Sequence, residues 1–268
     1  MGLAGQLIFW PPEFVTALAE AGFRVIRLDN RDIGLSQKIE GKKPPNAILQ
    51  LALRRAGVKG LAPYRLEDMA RDASGLLAAL GVGPAHVVGV SMGGMIGQVL
   101  AANAPARVKT LSIIMSSTNN PKLPQARPEV IRAMTTRAQP NETREQALDR
   151  MMRTWNLIRT PNGGLSETEL RARLAAQYDR CYHPAGPARQ LSAIIDTGDL
   201  RRYTRLIASP TLVIHGSEDP LARPEGGRDI ADNAPGARLE IIDGMAHDLP
   251  KKFLPRLSSL VIEHMRSH

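Results

Sequence analysis

A serine at the centre of a glycine-flanked turn is the sharpest chemical signal in this sequence. Residues 89–93 read Gly-Val-Ser-Met-Gly, a G-x-S-x-G spacing directly after the apolar run HVVGV and directly before an apolar helical pattern. At a tight strand-to-helix turn, glycines let the two elements approach and the central side chain projects beyond the sheet. Ser91 is therefore predicted to be a nucleophile. A phosphate-binding turn is the alternative, but the sequence lacks its Lys and its G-x-G-x-x-G spacing.

A serine hydroxyl needs a neighbouring base to become a nucleophile, and that base needs a group to orient it. Six histidines compete for the role. His247 follows the last apolar run through Gly244, which places it at the same sheet edge as Ser91. His215 directly precedes a glycine, where we expect it to stabilise a turn. The remaining four fall on a strand start, on the inserted helices or near the C-terminus.

The orienting acid should also follow a strand, and the segment LVIHGSEDP supplies two candidates. Asp219 is favoured over Glu218 because a short carboxylate before Pro220 lies in a rigid turn. Asp248 is an alternative, but it adjoins His247 in the chain and cannot easily reach back to that ring. The predicted chain order is nucleophile, acid, base.

Short β-branched runs alternate with longer helical patterns along the chain, which is typical of βαβ units around a parallel sheet. We therefore predict an α/β fold. The predicted strands cover residues 23–29, 86–90, 108–116, 210–216 and 238–243, and the predicted helices between them cover residues 12–21, 66–80 and 224–233.

One long interval breaks this alternation. Residues 118–206 contain several helical patterns and no convincing strand, and two of these patterns open with the spacing of a capping box, Thr143 with Gln146 and Ser166 with Glu169. The sequence thus predicts a core domain of residues 1–117 and 207–268 and an inserted helical cap of residues 118–206. A shorter insertion at 38–63 carries a helical pattern around residues 48–55.

The composition argues against several classes of partner. The chain has 268 residues, a formal net charge of +9 and 43% hydrophobic residues. Its basic residues are scattered without interleaved aromatic residues, so we expect no nucleic-acid partner. The first residues lack the positively charged start of a signal peptide. Their apolar stretch is also too short to span a bilayer. With Cys181 as the single cysteine, we expect a cytoplasmic protein without disulfides, metal, cofactor or membrane partner.

Several segments together resemble the α/β-hydrolases, in particular the esterase and aclacinomycin-methylesterase-like group. RLDNRDIGLSQ is similar to a D-x-R-x-x-G-x-S turn of that fold through Asp29, Arg31, Gly34 and Ser36, and GVSMGG, HGSEDP and GMAHDLP resemble its three catalytic segments. The resemblance implies a mostly parallel eight-stranded sheet with a helical cap inserted after the sixth strand.

The resemblance and the residues together imply acyl transfer on a small to medium carboxylic ester. Ser91 would attack the carbonyl, His247 would take its proton, and Asp219 would hold the imidazole. The backbone amide of Met92 would stabilise the oxyanion, and the resemblance to an H-G-x turn assigns the second amide to Leu3. Trp10, Met151 and Trp155 are candidate substrate-binding residues, although Met134, Met151, Met152 and Trp155 at helical spacing are equally expected to form the core of the cap.

The opening stretch MGLAGQLIFWPPEF resembles the loop after the third strand of that fold, so we expect the usual first three strands to be absent from this sequence. Because the third strand lies in the centre of the family's sheet, its absence leaves backbone groups unpaired. We therefore expect that local rearrangement or a second subunit fills the gap, with a homodimer as the predicted form, or else that the true start of the protein lies upstream.

Other reactions share this serine chemistry. Perhydrolases, proline iminopeptidases, C–C bond hydrolases and acyltransferases on the same fold use a serine nucleophile, whereas dehalogenases and epoxide hydrolases use an aspartate, against which Ser91 argues. A non-catalytic protein that only binds a ligand in the same pocket is a further alternative.

Overall fold

Four parallel strands form the sheet in the computed structural model, which describes residues 1–41, 43–136 and 138–268. Their spatial order is the same as their order in the chain. Parallel pairing brings the carboxyl ends of all four strands to one edge. The strands are β1 (Ala85–Val90), β2 (Val108–Ile114), β3 (Thr211–Gly216) and β4 (Arg238–Ile242).

The predicted strand at residues 23–29 does not form. The described residues therefore contain four strands, whereas the sequence pattern predicted five and the family resemblance implied eight. The backbone of residues 23–29 is irregular and pairs with no neighbouring strand. It is held by side chains instead, since the Phe23 ring packs edge-on against His86 with 5.5 Å between centroids. An extended, β-branched segment becomes a strand only where a partner offers backbone groups to pair with.

Helices cover both faces of the sheet, and the predicted helices of the core form within a residue or two of their expected ends. Before β1 lie α1 (Pro12–Glu20), α2 (Ala47–Arg55) and α3 (Leu66–Ala79), and α4 (Met92–Asn103) joins β1 to β2. After β3 come α10 (Arg223–Asn233) and, after β4, α11 (Leu254–Arg266).

The segment between β2 and β3 contains only helices in its described part. Both predicted capping boxes are formed, with Thr143 and Gln146 at one helix start and Ser166 and Glu169 at another. These reciprocal bonds satisfy amides that have no partner within a helix. The helices are α5 (Pro128–Thr135), α6 (Arg144–Ile158), α7 (Glu167–Arg180), α8 (Ala185–Thr197) and α9 (Arg201–Thr204).

Alternate residues of the central strands enter two different apolar cores. Val213 belongs to the core formed with α3 and α4, whereas Leu212 and Ile214 belong to the core formed with α1 and α11. This follows from the two-residue period of a strand that is covered on both faces. Among the described helices, none is both long and apolar enough to cross a bilayer.

A buried ion pair joins the loop after residue 29 to helix α8. Asp32 is fully buried, and Arg189 donates to its two carboxylate oxygens over 2.9 Å each. Burial alone would raise the pKa of Asp32, but the bonds from Arg189 and from the Ile39 amide outweigh it and hold the pKa below its usual value. At pH values above the usual pKa of an aspartate, the ionised pair therefore stabilises the fold. This contribution is lost as the pH falls through the lowered pKa of Asp32.

We predict that Arg189→Met lowers the free energy of unfolding by about 3–5 kcal/mol, because the Asp32 carboxylate is left buried without its countercharge. Urea denaturation at pH 7 measures this loss. The matched control is Arg202→Met, which removes a half-exposed arginine 3.4 Å from Glu67 and should cost less than about 1 kcal/mol. Equal losses in the two variants would contradict the assigned role of the buried pair.

Candidate active site

Ser91 occupies a strained turn between β1 and α4. Its φ of 54° and ψ of −119° lie where side chains are rarely found. A Cβ on Gly89 would come within 2.4 Å of the Gly93 carbonyl oxygen, and a Cβ on Gly93 within 2.9 Å of the Met1 carbonyl oxygen. Only glycine fits at these two positions, which explains the G-x-S-x-G spacing.

The structure brings Ser91, His247 and Asp219 into one hydrogen-bonded chain. The His247 Nε2 atom lies 3.0 Å from the Ser91 Oγ atom, and its Nδ1 atom lies 2.6 Å from the Asp219 Oδ2 atom. His247 follows β4 on a loop whose backbone is fixed by a bond from its amide to the Ile158 carbonyl, 2.9 Å. The chain has the geometry of an activated nucleophile with an oriented base.

Asp219 is fully buried and held as an anion. Its Oδ1 atom accepts the amides of Leu221 and Ala222 at 2.8 and 2.9 Å, which leaves Oδ2 for His247. Burial would raise the pKa of this carboxyl, but the neighbouring imidazoles of His247 and His215 outweigh burial and hold the pKa well below its usual range. A buried carboxylate with a fixed orientation can steady a positive charge on His247.

The sequence predicts that His215 stabilises a turn, and this prediction is wrong. It lies within β3, is fully buried, and its Nε2 atom is 3.3 Å from the Asp219 Oδ2 atom without hydrogen-bond geometry. Gly227 leaves room for the ring, because a Cβ there would lie 2.6 Å from the Nδ1 atom. His215 therefore packs behind the acid of the site.

The other two candidate acids have different surroundings. Glu218 is exposed. Asp248 lies in the cavity wall, but its Oδ1 atom accepts the Thr160 amide at 3.0 Å and the Thr160 hydroxyl at 2.5 Å. Burial raises the pKa of Asp248. Its bonds fix the loop of His247 against the end of α6, and neither acid contacts the His247 ring by a hydrogen bond.

The opening loop lies against Ser91. A Cβ on Gly2 would be 3.0 Å from the Ser91 Cβ, and Leu3 is part of the cavity wall. The amides of Leu3 and Met92 donate to no acceptor within the part of the chain that the structure describes. Two free amides beside a serine are what an oxyanion site requires, although the roles of Leu3 and Met92 stay predictions.

Two buried glutamines fix that loop, and neither of them was singled out from the sequence. The Ala4 amide donates to the Gln190 side chain of α8 at 3.0 Å, and the Gln6 amide donates to the Gln177 side chain of α7 at 2.9 Å. The Leu7 amide donates to Asp29 at 2.7 Å. A buried glutamine in a helical pattern resembles a surface residue in the sequence, so no local signal marks it.

A cavity of about 110 Å³ opens above Ser91. Of the predicted substrate-binding residues, Trp155 lies in its wall, and so does Met134. Trp10 and Met151 are absent from the described wall, because Trp10 stacks on Phe14 in the core and Met151 packs in the cluster formed by α6 and α7. The rest of the wall is mainly apolar, with Phe9, Pro11, Val90, Met115, Ile158, Leu165, Leu170, Leu221 and Leu249.

We predict that Gln190→Met lowers kcat for a p-nitrophenyl ester about tenfold with little change in KM. The variant frees the Ala4 amide, so the adjacent Leu3 amide is no longer held in place, and loss of one oxyanion donor costs about 10²–10³ in rate. Steady-state kinetics measures the effect, and Gln125→Met, at an exposed position, is the control. An unchanged kcat in Gln190→Met with a normal melting temperature would contradict the role of this anchor.

Comparison with known proteins gives a consistent set of relatives. A family model described as serine aminopeptidase S33 matches residues 10–251. The rhodomycin D methylesterases of Streptomyces peucetius and Streptomyces sp. strain C5 are 31% and 32% identical, each over 96% of this chain and 86% of their own length.

Solved structures agree on the fold. The enol-lactonase from Burkholderia xenovorans LB400 superposes with a TM-score of 0.71 at 23% identity, covering 99% of this chain and 88% of its own. At that level of identity the likeness concerns the fold alone.

Proposed function

The chain belongs to the serine aminopeptidase S33 family of α/β-hydrolases, and from that premise we propose that this hydrolase cleaves carboxylic esters through Ser91, His247 and Asp219. One observation carries the proposal, the continuous chain of contacts from the Asp219 carboxylate through both nitrogens of His247 to the Ser91 hydroxyl. A ligand-binding protein without catalysis has no need of this geometry.

The proposed reaction proceeds in two steps. His247 takes the proton from Ser91 as Oγ attacks the ester carbonyl, and the amides of Met92 and Leu3 bind the developing oxyanion. The protonated His247 then gives its proton to the leaving alcohol, and an acyl-enzyme remains. Water activated by His247 attacks the acyl-enzyme and releases the acid. Asp219 keeps the imidazole oriented and steadies its charge in both steps.

Two considerations favour esters among the reactions of this family. The two methylesterase relatives share about a third of their residues with the chain over nearly its whole length. The cavity wall is mainly apolar, which suits an uncharged acyl or alcohol group next to the scissile bond. Perhydrolase, aminopeptidase, C–C hydrolase and acyltransferase reactions would use the same three residues, so a substrate panel distinguishes them.

We predict that Ser91→Ala loses at least about 10³-fold in kcat for p-nitrophenyl acetate or butyrate, because the acyl-enzyme can no longer form. The variant should also resist covalent labelling by a fluorophosphonate, as detected by intact-mass spectrometry. Ser267→Ala, near the exposed C-terminus, should keep both properties. Wild-type protein that neither takes the label nor exceeds the rate of Ser91→Ala would contradict the proposed function.

We predict that kcat/KM for a short ester falls on the acid side with a slope of one. A protonated His247 cannot accept the proton of Ser91, so activity decreases as the pH decreases. Since the lowered pKa of Asp219 keeps this carboxyl ionised throughout the assayed pH range, Asp219 adds no second decrease of kcat/KM on the acid side. A pH–rate profile between pH 4 and 9 measures this, and a profile that stays flat to about pH 4 would argue against His247 as the base.

A further inference from the structure

The cavity above Ser91 is mainly apolar, and besides Ser91, His247 and Asp248 its wall contains two arginines from the segment between β2 and β3. They are Arg159, directly after α6, and Arg173, on α7. The acidic group in the described wall is Asp248, whose Oδ1 atom is turned to Thr160. The side of the cavity formed by the inserted helices therefore carries positive charge beside the proposed nucleophile.

Among the described residues, Arg173 is half-buried in the cavity wall and has no acid to bind, whereas Arg132 and Arg153, which also lack an ion pair, are exposed and lie outside that wall. Arg144, Arg150 and Arg171 each form ion pairs of 2.6–2.8 Å, with Asp179, Glu142 and both Glu145 and Asp149. Arg159 donates to the Leu165 carbonyl at 3.2 Å and lies 3.4 Å from Glu167. Within the described residues, Arg173 makes no hydrogen bond and no ion pair.

A half-buried arginine without a partner in a mainly apolar wall is suited to an anion from solution. Its planar fork of N–H groups matches a carboxylate, with which it forms two parallel bonds. The apolar surroundings strengthen the attraction relative to the same pair in water. A carboxylate that binds there gains this attraction, which offsets the partial loss of its own hydration.

We propose that Arg173 recognises a carboxylate on the substrate, so that the enzyme prefers esters that carry a second, ionised carboxyl group. This inference rests on the proposed ester hydrolysis at Ser91 and names its substrate class. Arg159 adds positive charge to the same wall, while its bonds to Leu165 and Glu167 hold it in place.

Two pairs of esters of matched shape test the preference. On the acyl side, mono-p-nitrophenyl adipate is compared with p-nitrophenyl 6-methylheptanoate, in which an isopropyl group replaces the carboxylate. On the alcohol side, 4-acetoxybenzoate is compared with 4-isopropylphenyl acetate. For each pair, kcat/KM of the anionic ester is divided by kcat/KM of the neutral ester. Comparing this ratio between wild type and variant cancels the difference in intrinsic reactivity between the two esters.

Arg173→Met should lower this ratio about 10- to 100-fold for at least one pair, mainly through KM of the anionic ester, and Arg173→Lys should restore part of it. Arg153→Met is the matched control, because it removes the same charge from an exposed position on α6. If Arg173→Met changes the ratio of both pairs no more than Arg153→Met does, the proposal is overturned.

Binding without turnover separates this proposal from the proposed function. Calorimetric titration of adipate into the Ser91→Ala protein should show binding that Arg173→Met weakens at least tenfold and Arg153→Met leaves unchanged. Failure of ester hydrolysis on the neutral substrates would contradict the proposed function alone. The three proteins compared are Ser91→Ala alone, Ser91→Ala with Arg173→Met, and Ser91→Ala with Arg153→Met. Equal affinity for adipate in all three, or no binding to any of them, would overturn carboxylate recognition whether or not the wild type hydrolyses esters.

Discussion

The close approach of strand β1 and helix α4 is the constraint on which the rest of the site depends. Ser91 adopts a backbone conformation that costs roughly 1–3 kcal/mol, and it persists because the surrounding packing leaves no alternative. The Ser91 amide donates to the Ile114 carbonyl of β2 at 2.9 Å, and the Ser116 hydroxyl donates to the Ser91 carbonyl at 2.7 Å. Both the amide and the carbonyl group of Ser91 are thus hydrogen-bonded to β2 or to the residues that directly follow it. The stability of the buried sheet is what keeps the hydroxyl exposed at its edge.

The base and the acid reach the same place through the parallel order of the sheet. β3 and β4 end at the edge where β1 ends, so the loops that follow them deliver Asp219 and His247 to Ser91 from two directions. Each loop is fixed independently of the other. The acid is bound by two amides of its own turn, and the base is bound through its own amide to the end of α6. The helices between β2 and β3 therefore hold His247 in position as well as form part of the cavity wall.

The sequence predicted those parts of the site that depend on local chain geometry. Ser91, Asp219 and His247 could be selected because each follows a β-branched run and has a glycine or proline nearby, which signals a turn at a sheet edge. The segment at 23–29 has the same local character, but strand formation also needs a partner, and pairing is not encoded in the segment itself. Trp10 and Trp155 show the same limit for the cavity, because tertiary packing decides that the first enters the core and the second lies in the cavity wall. The charge of Arg173 is visible in the sequence, whereas its lack of a partner is a property of the packed helices.

The bonds from Gln177 and Gln190 to the opening loop join two things that are separate in the sequence. These glutamines belong to α7 and α8, and they hold the backbone directly after Leu3, which lies with Ser91 in the cavity wall. Any movement that lifts these helices from the core must first stretch the same hydrogen bonds. Displacing these helices would therefore disturb the backbone beside Ser91 as well as the wall of the cavity.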